Sequence, residues 1–196
     1  MIKKFLKSNK GKEMLEIIIL TPITIWLIFY TFVRIYANMI SSKTQTVAST
    51  YVRTIITQDT LYDGLCDVAK LVLDDGNDAV IASITVTDKN NGIPYTLSFS
   101  EDSTETTYFK KMFYKTNGKY QLNYNISESF KNNYDNVSKA FARGNYVEIK
   151  VIEEISEWIN RFTAITFYNP QTKQNVTIDY FTPGIVSAVS KNIVIS

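Results

Sequence analysis

Histidine is absent from this chain and cysteine occurs once, at Cys66. Those two lacks exclude an internal disulfide framework and every histidine-based acid–base or metal constellation. A surplus of one charge is also missing. Lys and Arg number 21 against 19 Asp and Glu, a net +2, and the two signs interleave along the chain. Nothing forms the basic patch that a nucleic acid requires, so no nucleic-acid partner is expected. No Gly-x-Ser-x-Gly elbow, P-loop or Gly-rich dinucleotide fingerprint occurs, and no cofactor is expected. A length of 196 residues suits one folded unit plus an anchor.

The most informative segment is residues 14–33, apolar or weakly polar throughout apart from Glu16. As a helix it is about 30 Å long, the thickness of a bilayer's hydrocarbon core, and it reads as a transmembrane span. A secretory signal peptide is the rival reading, but its apolar core runs only about 7–15 residues and ends in a small-x-small site. Here the run continues into Arg34, Ile35 and Tyr36. Lys3, Lys4, Lys7, Lys10 and Lys12 precede the span, whereas Arg34 and Lys43 are the only basic residues close behind it. The positive-inside rule then places the N-terminus in the cytoplasm and the bulk of the chain outside the cell membrane, a single-pass arrangement with Tyr36 as an interfacial anchor.

Glu16 lies one turn into the apolar run, where an acidic residue costs up to roughly 2.5–3.5 kcal/mol at the bilayer centre and less near its edge. It needs a neutralising partner. Lys12, four residues earlier, is a local candidate, worth a few tenths of a kcal/mol in water. The surroundings supply a second candidate. The basic leader ends at Gly11, Glu16 is fifth after that glycine, and Pro22 follows six residues later. The segment Lys10-Gly11-Lys12-Glu13-Met14-Leu15-Glu16-Ile17-Ile18-Ile19-Leu20-Thr21-Pro22 resembles the class III, prepilin-type signal of TadE-like pseudopilins of tight-adherence (Flp-type) pilus systems.

That resemblance implies cleavage between Gly11 and Lys12 by a prepilin peptidase, and pairing of Glu16 with the free amine of a neighbouring pilin-like subunit. It also implies inner-membrane platform proteins as partners. Glu16 and Pro22 would be assembly residues. Pro22 lacks an N–H and weakens the helix a turn and a half below it, so a local kink or melted turn is expected there. The function implied is that of a minor pseudopilin-like, non-enzymatic subunit of a pilus or secretion apparatus. The alternative is an unprocessed bitopic accessory protein with a protein-binding outer domain.

Beyond the span, Ile40, Val47, Tyr51, Thr54 and Ile55 recur at helical spacing, as do Leu61, Leu65, Val68 and Val72 before Asp74-Asp75-Gly76. This predicts an amphipathic stalk. Period-two strands are predicted over 80–87 and 93–99 around a turn at 88–92, and over 119–126 after a turn at 116–118. A helix follows over 127–142, with Phe130, Tyr134, Val137 and Phe141 on one face. Strands at 146–152, 162–168, 176–181 and 185–195 close the chain, punctuated at Asn169-Pro170 and Pro183-Gly184.

The expected organisation is a leader over 1–11, a transmembrane helix over 12–40, an extracytoplasmic amphipathic helix over 41–76 and a β-rich domain over 77–196. The fold class is α+β, a long N-terminal helix followed by an antiparallel sheet, pilin-like. Three lesser features are read as structural. The Asp74–Asp78 run ends a helix, lacking the ligand ladder of a calcium loop. Glu153, Glu154 and Glu157 form an exposed face or loop before Trp158. Cys66, beside Leu65 on the apolar stripe, is a small buried hydrophobe.

Overall fold

The computed structural model describes residues 9–99, 106–123, 126–154, 164–169, 174–179 and 185–195. Leader residues 1–8, Glu157, Trp158 and the turns at Pro170 and Pro183-Gly184 lie outside them, as do the side chains of Asn9, Lys10, Lys12 and Leu15.

Helix α1 (Asn9–Ile56) is unbroken over 48 residues and is the one described helix long and apolar enough to cross a membrane. It stays helical across Pro22, with no melted turn. Hydroxyls set in its apolar stretch are satisfied along the helix itself. Thr24 Oγ1 donates to the Leu20 carbonyl and Thr31 Oγ1 to that of Leu27, each at 2.8 Å. Such back-bonding removes the penalty of a bare hydroxyl in an apolar medium.

The stripe predicted to form one continuous stalk lies on two helices. After Ile56 the chain turns, and α2 (Leu61–Leu73) starts at Thr60, whose hydroxyl accepts from the Asp63 N–H at 3.1 Å. Thr60 thus offers the N-cap that a helical stripe alone does not reveal. Helix α2 folds back against α1 because Gly64 has no side chain: a Cβ there would stand 2.9 Å from the Ile55 Cα.

Strands β1 (Val80–Thr87) and β2 (Pro94–Ser98) form a hairpin, and β1 also pairs with β5 (Tyr146–Glu154), which pairs with β8 (Ile185–Ile193). The sheet order is β2-β1-β5-β8, all antiparallel. Between β2 and β5 lie a short helix α3 (Thr106–Lys111), the hairpin β3 (Phe113–Thr116) and β4 (Lys119–Leu122), and helix α4 (Glu128–Ala140). Strands β6 (Ala164–Asn169) and β7 (Gln174–Asp179) form a separate hairpin. The sequence reading missed α3 and β3 and made the following strand too long. Its turn was right in chemistry: Asn117 and Gly118 both have positive φ, 51° and 78°, as a two-residue hairpin turn demands.

Period two sorts the sheet's faces. Ile84 opposes Ile149, Val86 opposes Val147, and all four are buried. The alternate positions Ser83, Thr85, Glu148 and Lys150 are partly exposed, and Thr85 and Thr96 pair their hydroxyls across strands at 2.9 Å. Ala48, Tyr51, Val52 and Ile55 of α1 join the same core, with Leu65 and Val68 of α2 and Val137 of α4. Phe99 meets Phe109 and Phe130 edge-on at centroid distances of 5.1 and 5.9 Å. The Tyr51 hydroxyl reaches the Ala79 carbonyl at 2.9 Å, and burial raises its pKa, keeping the phenol a donor.

The core accounts for only half of α1. From Met14 to Phe32 its described large apolar side chains are exposed, including Ile18, Trp26 and Leu27. From Val33 onward one face is buried against the sheet: Val33 and Ile40 cluster with Val186 of β8, and Ala37 is covered between them. One end of the helix is therefore a bare apolar rod and the other a wall of the domain.

Candidate functional site

The residues singled out by sequence all lie on the bare end of α1. Gly11 and Lys12 fall in its first turns, and Glu16 follows about 7.5 Å further along the axis. Glu16 is exposed, on a side of the helix shared with Glu13, Thr21 and Thr24 amid Ile17, Leu20 and Ile25. The structure thus brings Glu16 and the helix surface beside Pro22 together on a single rod and keeps both apart from the sheet domain. Further along, Trp26 stacks on Tyr30 at 5.5 Å, and Arg34 lies over the Tyr30 ring while its Nε donates to the Tyr30 hydroxyl at 3.0 Å. The guanidinium points back along the helix, as the N-terminal tilt of helical side chains favours.

A polar centre that sequence reading missed sits where α1 meets the sheet. Glu153, expected on an exposed face, is 6% exposed. It follows Val147, Ile149 and Val151 at period two, so it shares their inward face, and that alternation was the signal that could have found it. Lys43 Nζ reaches Glu153 Oε1 at 2.9 Å, and the buried Thr44 hydroxyl bonds Glu153 Oε2 at 2.8 Å. The hydrogen bond to Glu153 raises the Lys43 pKa despite the opposing effect of burial. Both carboxylate oxygens are thus engaged by consecutive residues of α1, and no described buried side-chain N or O atom lacks a partner. Tension between a buried charge and its lost hydration is relieved here by an ion pair plus a hydroxyl.

Two further places are polar without converging on chemistry. At the end of α2, Asp74 accepts from the Tyr120 hydroxyl at 2.7 Å and from Lys115 Nζ at 3.1 Å, and those bonds, Tyr120's foremost, hold its carboxyl below the usual range. The acidic run after α2 thereby ties to the β3–β4 hairpin, and among the described residues no three His, Cys, Asp or Glu side chains form a metal-holding group. Between α2 and β4 lies a groove of about 460 Å³ bordered by Tyr62, Asp67, Lys70 and Gln121. Cys66 lies on its wall and is only half-buried, a correction to the buried-hydrophobe reading: α2 turns Leu65 fully inward and the next residue sideways. Partial burial pushes the Cys66 thiol above its ordinary pKa, so less thiolate is present at any given pH. Native protein at pH 8 is therefore expected to react with iodoacetamide several-fold more slowly than the same chain in guanidinium. Faster reaction in the native state would refute this account of the thiol.

Compared with known proteins, the chain matches no family model, no curated protein and no solved structure.

Proposed function

We propose that this chain is a pilin-like assembly subunit, similar to the TadE-like pseudopilins, that works by insertion and lateral packing rather than by catalysis. It crosses the cell membrane once, with a cytoplasmic N-terminus and an extracytoplasmic sheet domain. The observation that carries the reading is an exposed carboxylate, Glu16, on the bare apolar end of a helix whose other end is built into an antiparallel sheet. An acidic side chain on a lipid-facing rod is costly until a partner neutralises it. A neighbouring subunit's free amine in a low-dielectric setting is such a partner, and release of the chain after Gly11 would create the same amine on Lys12. The protein partners are then other pilin-like subunits, a prepilin peptidase and inner-membrane platform proteins.

Mass analysis of the N-terminus in membranes that contain the peptidase tests this. The mature chain is expected to begin at Lys12, and Gly11→Val, which puts a branched side chain where the enzyme must approach the backbone, should leave the full-length form. Glu16→Ala should insert and be cleaved normally while its recovery in any larger assembly falls at least several-fold. Intact chains in mature complexes would return the protein to the second reading, an unprocessed bitopic accessory protein. The placement of Gly11 and Lys12 inside the opening turns of α1 favours that reading.

A further inference from the structure

We infer that α1 crosses the bilayer steeply tilted, with the sheet domain lying against the outer leaflet rather than raised on a stalk. This rests on the membrane reading above and adds the lipid surface as a contact of the face of α1 opposite the sheet. On the covered side, protein contact begins at Val33 and continues through Ala37 and Ile40. On the opposite side large apolar residues stay exposed for longer, Phe32, Ile35, Tyr36 and Met39, the last 58% exposed, with Asn38 an exposed polar residue among them. That side then changes character within one turn. Ser42, Thr46, Thr50 and Arg53 occupy it, and all are exposed.

Two lengths give the same tilt. The exposed apolar surface from Met14 to Met39 spans roughly 37 Å along the axis, against about 30 Å of hydrocarbon, which fits at a tilt of about 35–40°, inside the range seen for membrane helices. Independently, the covered side leaves the lipid near Val33 and the opposite side near Met39, an offset of roughly 9 Å across a rod about 10–12 Å wide, which again requires about 35–40°. The underside of the leaning helix keeps Ile35, Tyr36 and Met39 in the outer leaflet while its upper side carries the sheet. Tyr36 takes the headgroup level, where a ring with a polar tip is favoured. With Met14 at the inner boundary, Glu16 lies about 3 Å further along the axis, near that boundary.

The test uses the full chain in phosphatidylcholine–phosphatidylglycerol vesicles, with Cys66→Ser and one spin label at a time at position 27, 35, 39, 42 or 46. Collision rates with oxygen and with a water-soluble nickel chelate report depth. Labels at 35 and 39 should resemble the one at 27, with oxygen collisions several-fold above nickel, and labels at 42 and 46 should show the reverse. A water-exposed label at 39 beside a lipid-exposed one at 27 would overturn the inference and leave the membrane reading standing. A label at 39 shielded from both reagents would overturn it in favour of a second copy of the chain covering that face. A water-exposed label at 27 would remove the membrane reading and this inference with it.

Discussion

Lys43→Ala is expected to destabilise the sheet domain more than Glu153→Gln does, although the two residues share one ion pair. Glu153 is buried and Lys43 half-exposed, so the losses are unequal. Removing the lysine strands a carboxylate inside the protein with only Thr44 to hold it. Breaking a fully buried pair in this way costs about 3–5 kcal/mol, and with Thr44 remaining and water able to enter from the Lys43 side about 2–3 kcal/mol is expected. Glu153→Gln leaves no stranded charge and keeps an acceptor for Lys43 or Thr44, so about 1 kcal/mol is expected.

For a domain of this size each kcal/mol moves Tm by roughly 2–4 °C, giving a drop of about 5–10 °C for Lys43→Ala in thermal unfolding of the full chain in detergent. The double variant Lys43→Ala/Glu153→Ala should recover part of that loss, and a Lys43→Ala Tm within a degree of wild type would refute the lock. The sign with pH follows from the raised Lys43 pKa. Its contribution is complete below the ordinary lysine value of 10.5 and is lost as pH climbs through the higher folded-state value.

Gly64→Val should be at least as damaging, and for a different reason. A Cβ at this position meets the Ile55 Cα at 2.9 Å and the Ile55 carbonyl oxygen at 3.2 Å, backbone atoms that cannot rotate away. Overpacking of this kind costs about 1–3 kcal/mol for a single added carbon, partly offset by about 1 kcal/mol of helix propensity, so Gly64→Ala should lose about 1–2 kcal/mol. Valine adds two more methyl groups and a stiff χ1, and its loss should exceed about 3 kcal/mol. The readout is urea unfolding followed by tyrosine fluorescence. Equal midpoints for wild type and Gly64→Val would show that α2 does not pack on α1 as described.

The lesson of Gly64 extends to how much of the fold was readable. Amphipathic periods revealed both long helical stretches, since Leu61, Leu65 and Val68 must face a core wherever it lies. Period two revealed β1, β5 and β8, and Asn117-Gly118 revealed a hairpin turn. What stayed hidden depends on contacts distant in sequence. The turn between α1 and α2 is set by the Thr60 cap and by a glycine that matters only because Ile55 stands opposite. The Lys43–Glu153 pair joins residues 110 positions apart, and the strand alternation that marks Glu153 as inward-facing does not announce its partner. Helix α3 is one short turn and a half whose apolar members, Phe109 and the neighbouring Met112, gain meaning only from Phe99 and Phe113. At the bare end of α1 the reverse holds: Gly11, Glu16 and Pro22 are legible as a pattern from their spacing alone, and the fold adds only that Glu16 is exposed and that the helix continues unbroken to the part packed on the sheet.

That continuity has a mechanical consequence. Helix α1 is one lever roughly 72 Å long, without a glycine hinge or a linker between Glu16 and the lock at Lys43. The Lys43 and Thr44 bonds to β5, and the Ile195 N–H on the Ile56 carbonyl, grip it at two levels about 18 Å apart, which resists twisting as well as sliding. Torque applied to the helix at its bare end is therefore carried toward β5 and β8 through one continuous helix, with Pro22, which removes a backbone hydrogen bond, as its most compliant point.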